Sequence, residues 1–394
     1  MKQPLKGLRV LDLSRVLAGP WCSQLLADMG AEVIKIESPC GDDTRHWGPP
    51  FAGGHSEGDA AYFLAANRGK KSLVLDFGKV EDLQRLYKLA RHCDIVLENF
   101  KVGGLAKYGL DYESLIALNP RLIYCSITGF GQTGPDAPRA GYDFMIQAMG
   151  GLMSLTGTAG KDDDSKDNAS EPMKTGVAIT DLFTGLYASN AILAAVVARQ
   201  SSGIGCHIDV ALFDVQLAML ANQAQNFLAS GKNPPRLGNA HPNIVPYQAF
   251  ACADGHLILA VGNDGQFARF CELAGLDALI KDPRFASNSA RVEHREQLLP
   301  LIKKALLGKG RDEWLALLHG AGVPAGPINS VEEALAEPQA QARQMQIRRD
   351  FNGESLPFVG SPLRIDGEAL NSPLPPPLLG EHQQQMLDWL DSLD

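Results

Sequence analysis

LRVLDLSRVLAGPWCSQLLADMGAEVIKIES, residues 8–38, decides the fold class. LRVLDLS and AEVIKIES are short runs rich in Val, Ile and Leu, as strands buried on both faces are, and WCSQLLADMG between them has helical periodicity. The same alternation continues outward. KSLVLDF (71–77), DIVLENF (94–100) and LIYCSITGF (122–130) read as strands, and VEDLQRLYKLARH (80–92) and YESLIALNP (112–120) as helices. Strands separated by helices predict a parallel, doubly wound, Rossmann-like α/β sheet. Ligands on such sheets bind beyond the carboxyl ends of the strands, where SRVLAGP (14–20), LENFKVGG (97–104) and TGFGQTGP (128–135) fall.

At 394 residues the chain is long enough for two domains. The charged run KDDDSKDN (161–168) reads as a solvated loop. Two long helical patterns follow, one after Asp181 and one through HIDVALFDVQLAMLANQAQNFLAS (207–230). GNAHPNIVPYQAFACADGHLILAVGN (238–263) suggests a loop and a β-hairpin, and helical patterns then run to about 320 before the turn-rich GVPAGPINS (322–330). The expected division is a large domain over 1–224, a smaller α+β domain over 225–325, and a return of 326–394 to the large one. The proline-rich NSPLPPPLLGEH (371–382) suggests an extended strap on the surface. A net charge of −9 argues against a nucleic-acid or membrane partner, while local basic clusters leave room for a small anion. The longest apolar stretches fall short of the uninterrupted span of about 20 residues that crosses a bilayer. MKQPLKGLRVLDLS enters a strand almost at once and leaves no room for a targeting segment. Seven scattered cysteines without a CxxC pair fit reduced thiols in a cytoplasmic protein, and neither they nor the nine histidines show metal-ligand spacing.

In KTGVAITDLFTGLYASNAILAAVV (174–197) a strand-like apolar run meets a long helical one, and Asp181 sits at the junction. A helix N-terminus with free N–H groups would favour its ionised form and make it a nucleophile at neutral pH. Asp is equally a preferred N-cap, so the junction also fits a purely structural carboxylate. GFGQTG (129–134) matches GxGxxG after a strand, which would make a nicotinamide oxidoreductase. Pro- and Gly-rich PDAPRAGYD follows, however, where that fingerprint requires a helix. Arg15, Lys35, Arg45, Lys70, Lys71, Lys101, Lys107 and Arg139 recur near the strand ends and suit a multiply anionic, phosphorylated ligand. Asn99 and Phe100 offer an amide and a stacking surface for a nucleotide, or simply a turn and a core plug.

LKGLRVLDLSRVLAGPWCSQLLADMGAEVIKIE, NRGKKSLVLDF, DIVLENF, NPRLIYCSITGFGQTGP, AGYD and GVAITDLFTGLYA together resemble the family III CoA-transferases, the formyl-CoA and carnitine CoA-transferase group. The likeness runs on to GPINS and PPPLLGEH. GDDTRHWGPPF, SITGFGQTGPDAPRAGYD and IVPYQAF are most similar to the succinyl-CoA:glutarate, or dicarboxylate, branch. The resemblance implies transfer of CoA from a donor such as succinyl-CoA to a carboxylic acid, with CoA a substrate and neither cofactor nor metal involved. It implies that Asp181 is the nucleophile and that Arg15, Val16, Leu17, Ala18, Leu75, Asn99, Phe100 and Lys107 hold CoA. Tyr142 and Asp143 would lie beside the nucleophile. The loop 238–243, with Gly238, Asn239 and His241, would close over the acyl group, and two subunits would interlock as a homodimer. Ser38 and Gly78 stand where relatives carry basic residues, which moves or removes one or two phosphate contacts, with Lys79 as a substitute.

Arg45 and Arg139 are candidates to pair with the distal carboxylate of a dicarboxylic acceptor, since guanidinium binds carboxylate bidentately. A 2-methylacyl-CoA racemase on the same fold would need a proton-exchanging pair. The racemases this chain resembles carry His where it has Tyr142, and a phenol with a pKa near 10 is a poor partner for such exchange. A non-catalytic acyl-CoA-binding protein would not require Asp181 at all.

Overall fold

The computed structural model describes residues 3–159 and 171–393, and the run 161–168 lies outside the described residues. Six strands, β1 (Arg9–Asp12), β2 (Glu32–Glu37), β3 (Lys70–Val74), β4 (Ile95–Glu98), β5 (Ile123–Thr128) and β6 (Cys206–Ala211), form one sheet in the order 3-2-1-4-5-6, with every pairing parallel. The order reverses between β1 and β4, which opens a crevice at their carboxyl ends.

The sixth strand corrects the helical reading of 207–230. Cys206–Ala211 alternates partly buried and exposed residues before it enters the core, a strand's period of two, and helices begin only at Leu212. Gly205 admits the strand to the sheet, because a Cβ there would lie 1.9 Å from the Leu122 carbonyl oxygen. Residues 176–178, which look strand-like in sequence, form no strand, and the helix starts directly at Ile179.

The helices up to residue 230 are α1 (Ala18–Asp28), α2 (Ala61–Ala66), α3 (Val80–His92), α4 (Tyr112–Leu118), α5 (Asp143–Met149), α6 (Leu152–Leu155), α7 (Ile179–Ser202), α8 (Leu212–Met219) and α9 (Ala221–Ser230). Successive strand residues point to opposite faces and so build two cores. On one face Val10, Leu97, Ile123, Cys125 and Ile127 meet Cys22 and Leu26 of α1 and Ala188 and Ile192 of α7. On the other, Leu11, Ile34, Leu73 and Val96 meet α3 and α4 together with Met386 and Leu390 of the C-terminal helix Gln383–Asp391. Fully burying one such Leu contributes about 2 kcal/mol. Helix α7 is long and apolar enough to cross a membrane by length and composition. That differs from the sequence expectation because Ser, Thr and Gly interrupt the run without lowering its mean hydropathy far. Its inner face packs on α1, and Phe183, Leu186 and Tyr187 on its outer face are exposed.

The chain divides into two compact units, one comprising 1–151, 175–221 and 337–394, the other 152–174 and 222–336. The second unit therefore takes in described residues 152–159 and 171–174, which the sequence division assigned to the large domain. Its β7 (Tyr247–Ala251), β8 (His256–Ala260) and β9 (Ala325–Pro327) are antiparallel, and GVPAGPINS supplies the third strand as well as turns. Phe250, Leu257, Phe267, Phe270 and Trp314 fill its core.

Residues 371–382 lie along β3 in the first unit. The Gly69 N–H donates to the Pro375 carbonyl (3.2 Å), the His382 N–H to the Ser72 carbonyl (3.1 Å), and Gln383 bonds both main-chain groups of Val74. A free sheet edge is thereby covered.

Candidate active site

Asp181 is the third residue of α7, and Ala178 holds the N-cap position. It therefore does not cap its own helix. The cap comes from Asp143 at the start of α5, whose Oδ1 accepts the N–H of Thr180 at 2.8 Å and that of Asp181 at 3.3 Å. Asp143 Oδ2 accepts from the Gln147 amide at 2.6 Å, and Gln147 Oε1 in turn accepts the Thr175 N–H at 3.0 Å. This arrangement overturns the expectation of a readily ionised Asp181. The N–H groups that would have stabilised its charge go to Asp143, and burial, followed by the Asp143 carboxylate, pushes its pKa up to about 7.

Two close backbone approaches and one strained residue build the surroundings of Asp181. A Cβ on Gly185, one turn along α7, would lie 2.7 Å from the Ala18 carbonyl oxygen, so glycine lets α7 approach the N-terminus of α1. Gly129 and Gly141 stack backbone on backbone, with a Cβ on either meeting the other's Cα at 2.6 and 2.3 Å. That contact folds the β5–α5 loop back and delivers Tyr142 and Asp143. Val16 adopts φ +70°, a left-handed conformation that costs a β-branched residue about 1–3 kcal/mol. Its N–H points to the Asp42 carboxylate at 3.3–3.4 Å, and Asp42 is itself bonded by the buried Lys35 ammonium at 2.9 Å.

One cavity of about 410 Å³ is lined by Asp181, Tyr142 and Arg139, by Arg15, Val16, Leu17 and Ala18 after β1, and by Asn99 and Phe100 after β4. No side chain caps the N-terminus of α1 there, which leaves N–H groups for an anion. Leu75 belongs to an adjoining cavity of about 210 Å³ that shares Arg15 and Phe100 and is also lined by Ser38 and Gly78. Lys107 lines neither. Its ammonium sits over the Tyr108 ring at 4.6 Å. Asn99 spends its amide on the protein rather than offering it to a nucleotide, accepting the Arg15 N–H at 2.9 Å and donating to the Arg15 carbonyl at 2.7 Å.

Arg45 is not part of this constellation. It is buried, donates to both oxygens of Glu37 and to Asp59 at 2.7–2.8 Å, and stacks on Phe63. Its role as acceptor ligand is withdrawn, because its fork is already filled. Lys35 and Lys70 are likewise neutralised in the core by Asp42 and Asp12, and Lys71 pairs with Glu32. The expected basic rim narrows to Arg15, Lys101 and Arg139 around the cavity. Arg139 is half-exposed, pairs with Asp136 at 3.0 Å and lies over Phe130.

Gly238, Asn239 and His241 belong to the second unit. The later part of their loop is tied down there. Arg295 donates to the carbonyls of His241 and Pro242, and Asn288 to that of Asn243.

Two residues were missed in the sequence. Tyr62, on α2, has its pKa pushed up to about 12 by burial and then by the charges of Asp181, Asp143 and Asp42, so its phenol shares the field of the candidate nucleophile. Its local sequence, AAYFLAAN, looks like any core helix. Glu98, on β4, is the other; it stands inside a quoted motif, but an acid ending a strand has no distinctive signal.

The model of CoA-transferase family III matches residues 5–383. The chain belongs to CoA-transferase family III. It is 52% identical to the succinate–glutarate CoA-transferase of Agrobacterium fabrum, over 100% of this chain and 97% of that protein. It is 41% identical to the human succinyl-CoA:glutarate CoA-transferase, over 98% of this chain and 85% of that one. Among solved structures, a CaiB/BaiF family protein from Brucella suis superposes with a TM-score of 0.86 at 52% identity, covering 99% of this chain and 100% of the other. This family III CoA-transferase is therefore an enzyme that handles CoA thioesters.

Proposed function

We propose that the enzyme moves CoA from succinyl-CoA to glutarate or a closely related dicarboxylate through covalent intermediates on Asp181. The observation that carries this is the Asp181 carboxylate in a cavity at the switch point of the sheet, beside the uncapped N-terminus of α1. The donor and acceptor follow the names of the two relatives above. The adjoining cavity, floored by Leu75 and walled by Phe77, Phe100 and Tyr108, gives the nucleotide end of CoA a place to lie.

Asp181 attacks the donor thioester carbonyl, and the C–S bond breaks to give an aspartyl–succinyl anhydride and CoA thiolate. The thiolate attacks the aspartyl carbonyl, releasing succinate and leaving an aspartyl-CoA thioester. The acceptor carboxylate attacks that thioester, giving a new mixed anhydride and free thiolate. The thiolate then attacks the acceptor's acyl carbon, which releases the new acyl-CoA and the Asp181 carboxylate. One thioester replaces another, so no cofactor, metal or ATP is consumed. The partly desolvated carboxylate is a stronger nucleophile than a hydrated one, at the expense of ionising only near neutral pH. Arg139, at the cavity rim, is assigned to the distal carboxylate of the acceptor.

A homodimer, interlocked as the family resemblance implies, is part of the proposal. Phe183, Leu186 and Tyr187, exposed along α7, give the first unit an apolar face suited to burial against a partner. Sedimentation should show a dimer at nanomolar dilution, and a freely exchanging monomer would remove the interlock. Cytoplasmic residence is proposed from seven free cysteines, and recovery in a secreted fraction with oxidised thiols would count against it.

A panel of carboxylic acids with succinyl-CoA as donor tests the activity, and glutarate should rank among the fastest. Peptide mass spectrometry after hydroxylamine trapping of enzyme exposed to succinyl-CoA alone should place the modification on the Asp181 peptide. Modification elsewhere would sink the assignment.

A further inference from the structure

Glu98, at the carboxyl end of β4, takes no part in these steps, yet it is buried with 6% of its surface exposed. Among the described residues no ion pair reaches it. Its Oε2 accepts the Phe100 N–H at 2.7 Å, its other donor is the Ser126 hydroxyl, and Ser126 Oγ lies 3.0 Å from His207 Nε2.

Glu98 lines a cavity of about 250 Å³ whose wall includes Lys101, Val102 and Gly104. The same three residues line the Asp181 cavity. Residues 101–104 are therefore a partition between the two, with Phe100 at its root. From the Asp181 side, the Arg15 guanidinium lies 5.3 Å from the centre of the Phe100 ring, and Asn99 pins the Arg15 main chain. From the other side, the side-chain grip on the root among the described residues is Glu98.

The groups facing Glu98 are largely acidic or neutral. β6 contributes Asp209 and His207, β5 contributes Tyr124 and Ser126, the start of α4 contributes Asp111 and Glu113, and the partition itself contributes Lys101. Burial, with Asp209 as a like charge, pushes the Glu98 pKa up to about 7.

We infer that Glu98 is a positioning residue for the acyl-CoA donor, its ionised carboxylate holding the 99–104 wall in place through the Phe100 N–H and its protonation loosening that hold. A hydrogen bond to an ionised acceptor is roughly twice as strong as a neutral one, so the wall is firmer in the ionised state. The inference rests on the Asp181 cavity being the donor site.

The test is the pH dependence of the Michaelis constant for succinyl-CoA. Between pH 8 and pH 6 it should rise about three- to tenfold more in the wild type than in Glu98→Gln, which keeps an acceptor oxygen and cannot titrate. The phosphates of CoA titrate equally against both enzymes and cancel in the ratio. The pH profile of kcat, set by Asp181, should keep its midpoint in both, which separates positioning from chemistry. Ser126→Ala removes a donor to the carboxylate and should move the midpoint of the Michaelis-constant profile upward by about half a unit or more. Parallel profiles for the wild type and Glu98→Gln, or a Michaelis constant that falls on acidification, would overturn the inference. If Glu98→Gln does not fold, an unmoved midpoint in Ser126→Ala does the same. Should no CoA transfer occur at all, the proposed function fails first. Calorimetric titration of CoA into Asp181→Asn with and without Glu98→Gln then decides the role of Glu98, and equal pH 6 to pH 8 affinity ratios reject it.

Discussion

Asp181→Asn should make the protein more stable at alkaline pH while abolishing turnover. The carboxyl group is displaced from its ordinary value of 3.8 to about 7, which at 1.36 kcal/mol per unit is about 4 kcal/mol of unfavourable interaction borne by the ionised form. Asp181 keeps an edge open to the cavity, so solvent screening reduces this to about 2 kcal/mol. Below about pH 4 the group is protonated both folded and unfolded and contributes nothing. As pH rises from about 4 to 7 the unfolded chain ionises first, so the native state loses stability progressively, and the loss levels off above 7. Asn is neutral throughout and escapes it. Differential scanning calorimetry at several pH values should show a melting-temperature difference near zero at the acid end that grows to about 2–3 °C in favour of Asn at pH 8. Turnover should fall below about a tenth of wild type, with deamidation excluded, and CoA should still bind. A variant less stable than wild type at pH 8, or one that still turns over at a tenth of the rate or more, would refute the assignment of Asp181 as a buried nucleophile.

Asp143→Asn removes the like charge but keeps an oxygen for the Thr180 N–H, so the pH midpoint of kcat/KM should move below 7; an unchanged midpoint would show that burial alone raises Asp181. Arg139→Met should raise the Michaelis constant for dicarboxylates far more than for monocarboxylates, and equal effects would end its assignment. Arg45→Met should instead destabilise the fold by about 3–5 kcal/mol, since it leaves the buried Glu37 unpaired, with no selectivity between acid types in whatever activity survives. Gly141→Ala should reduce activity by at least about tenfold, because its Cβ cannot coexist with the Gly129 Cα. Wild-type kinetics in that variant would mean the loop tolerates the displacement.

The five leading strands and helices α1, α3 and α4 were legible because each pairs a short β-branched or apolar run with an amphipathic one, whereas the short α2 between β2 and β3 was not read. HIDVA was not, because five residues of period two were absorbed into the longer helical pattern beside them. The ligand edge at the carboxyl ends of the strands could be read from the strand–helix alternation, and with it the loops that carry Arg15 to Ala18, Asn99 and Phe100. What the sequence could not supply was side-chain pairing across long separations. Arg45 looks available until Glu37 and Asp59 are seen to fill its fork. Asp181 looks like a helix cap until Asp143, 38 positions earlier, takes that role. Tyr62 carried no local signal, since a tyrosine on an apolar helix is ordinary core.

The strap over β3 has a consequence for the order in which the molecule is assembled on the ribosome. β3 ends at Val74, and the Gln383 side chain that covers its edge emerges roughly 300 residues later, about 15–60 s at ordinary elongation rates. Throughout that interval the nascent sheet carries an open edge and lacks Met386 and Leu390 from one of its cores. The whole second unit is made in the meantime. Completion of the first unit thus waits for the helix Gln383–Asp391, and an arrested chain ending near residue 370 should present a protease-sensitive sheet and an already resistant second unit.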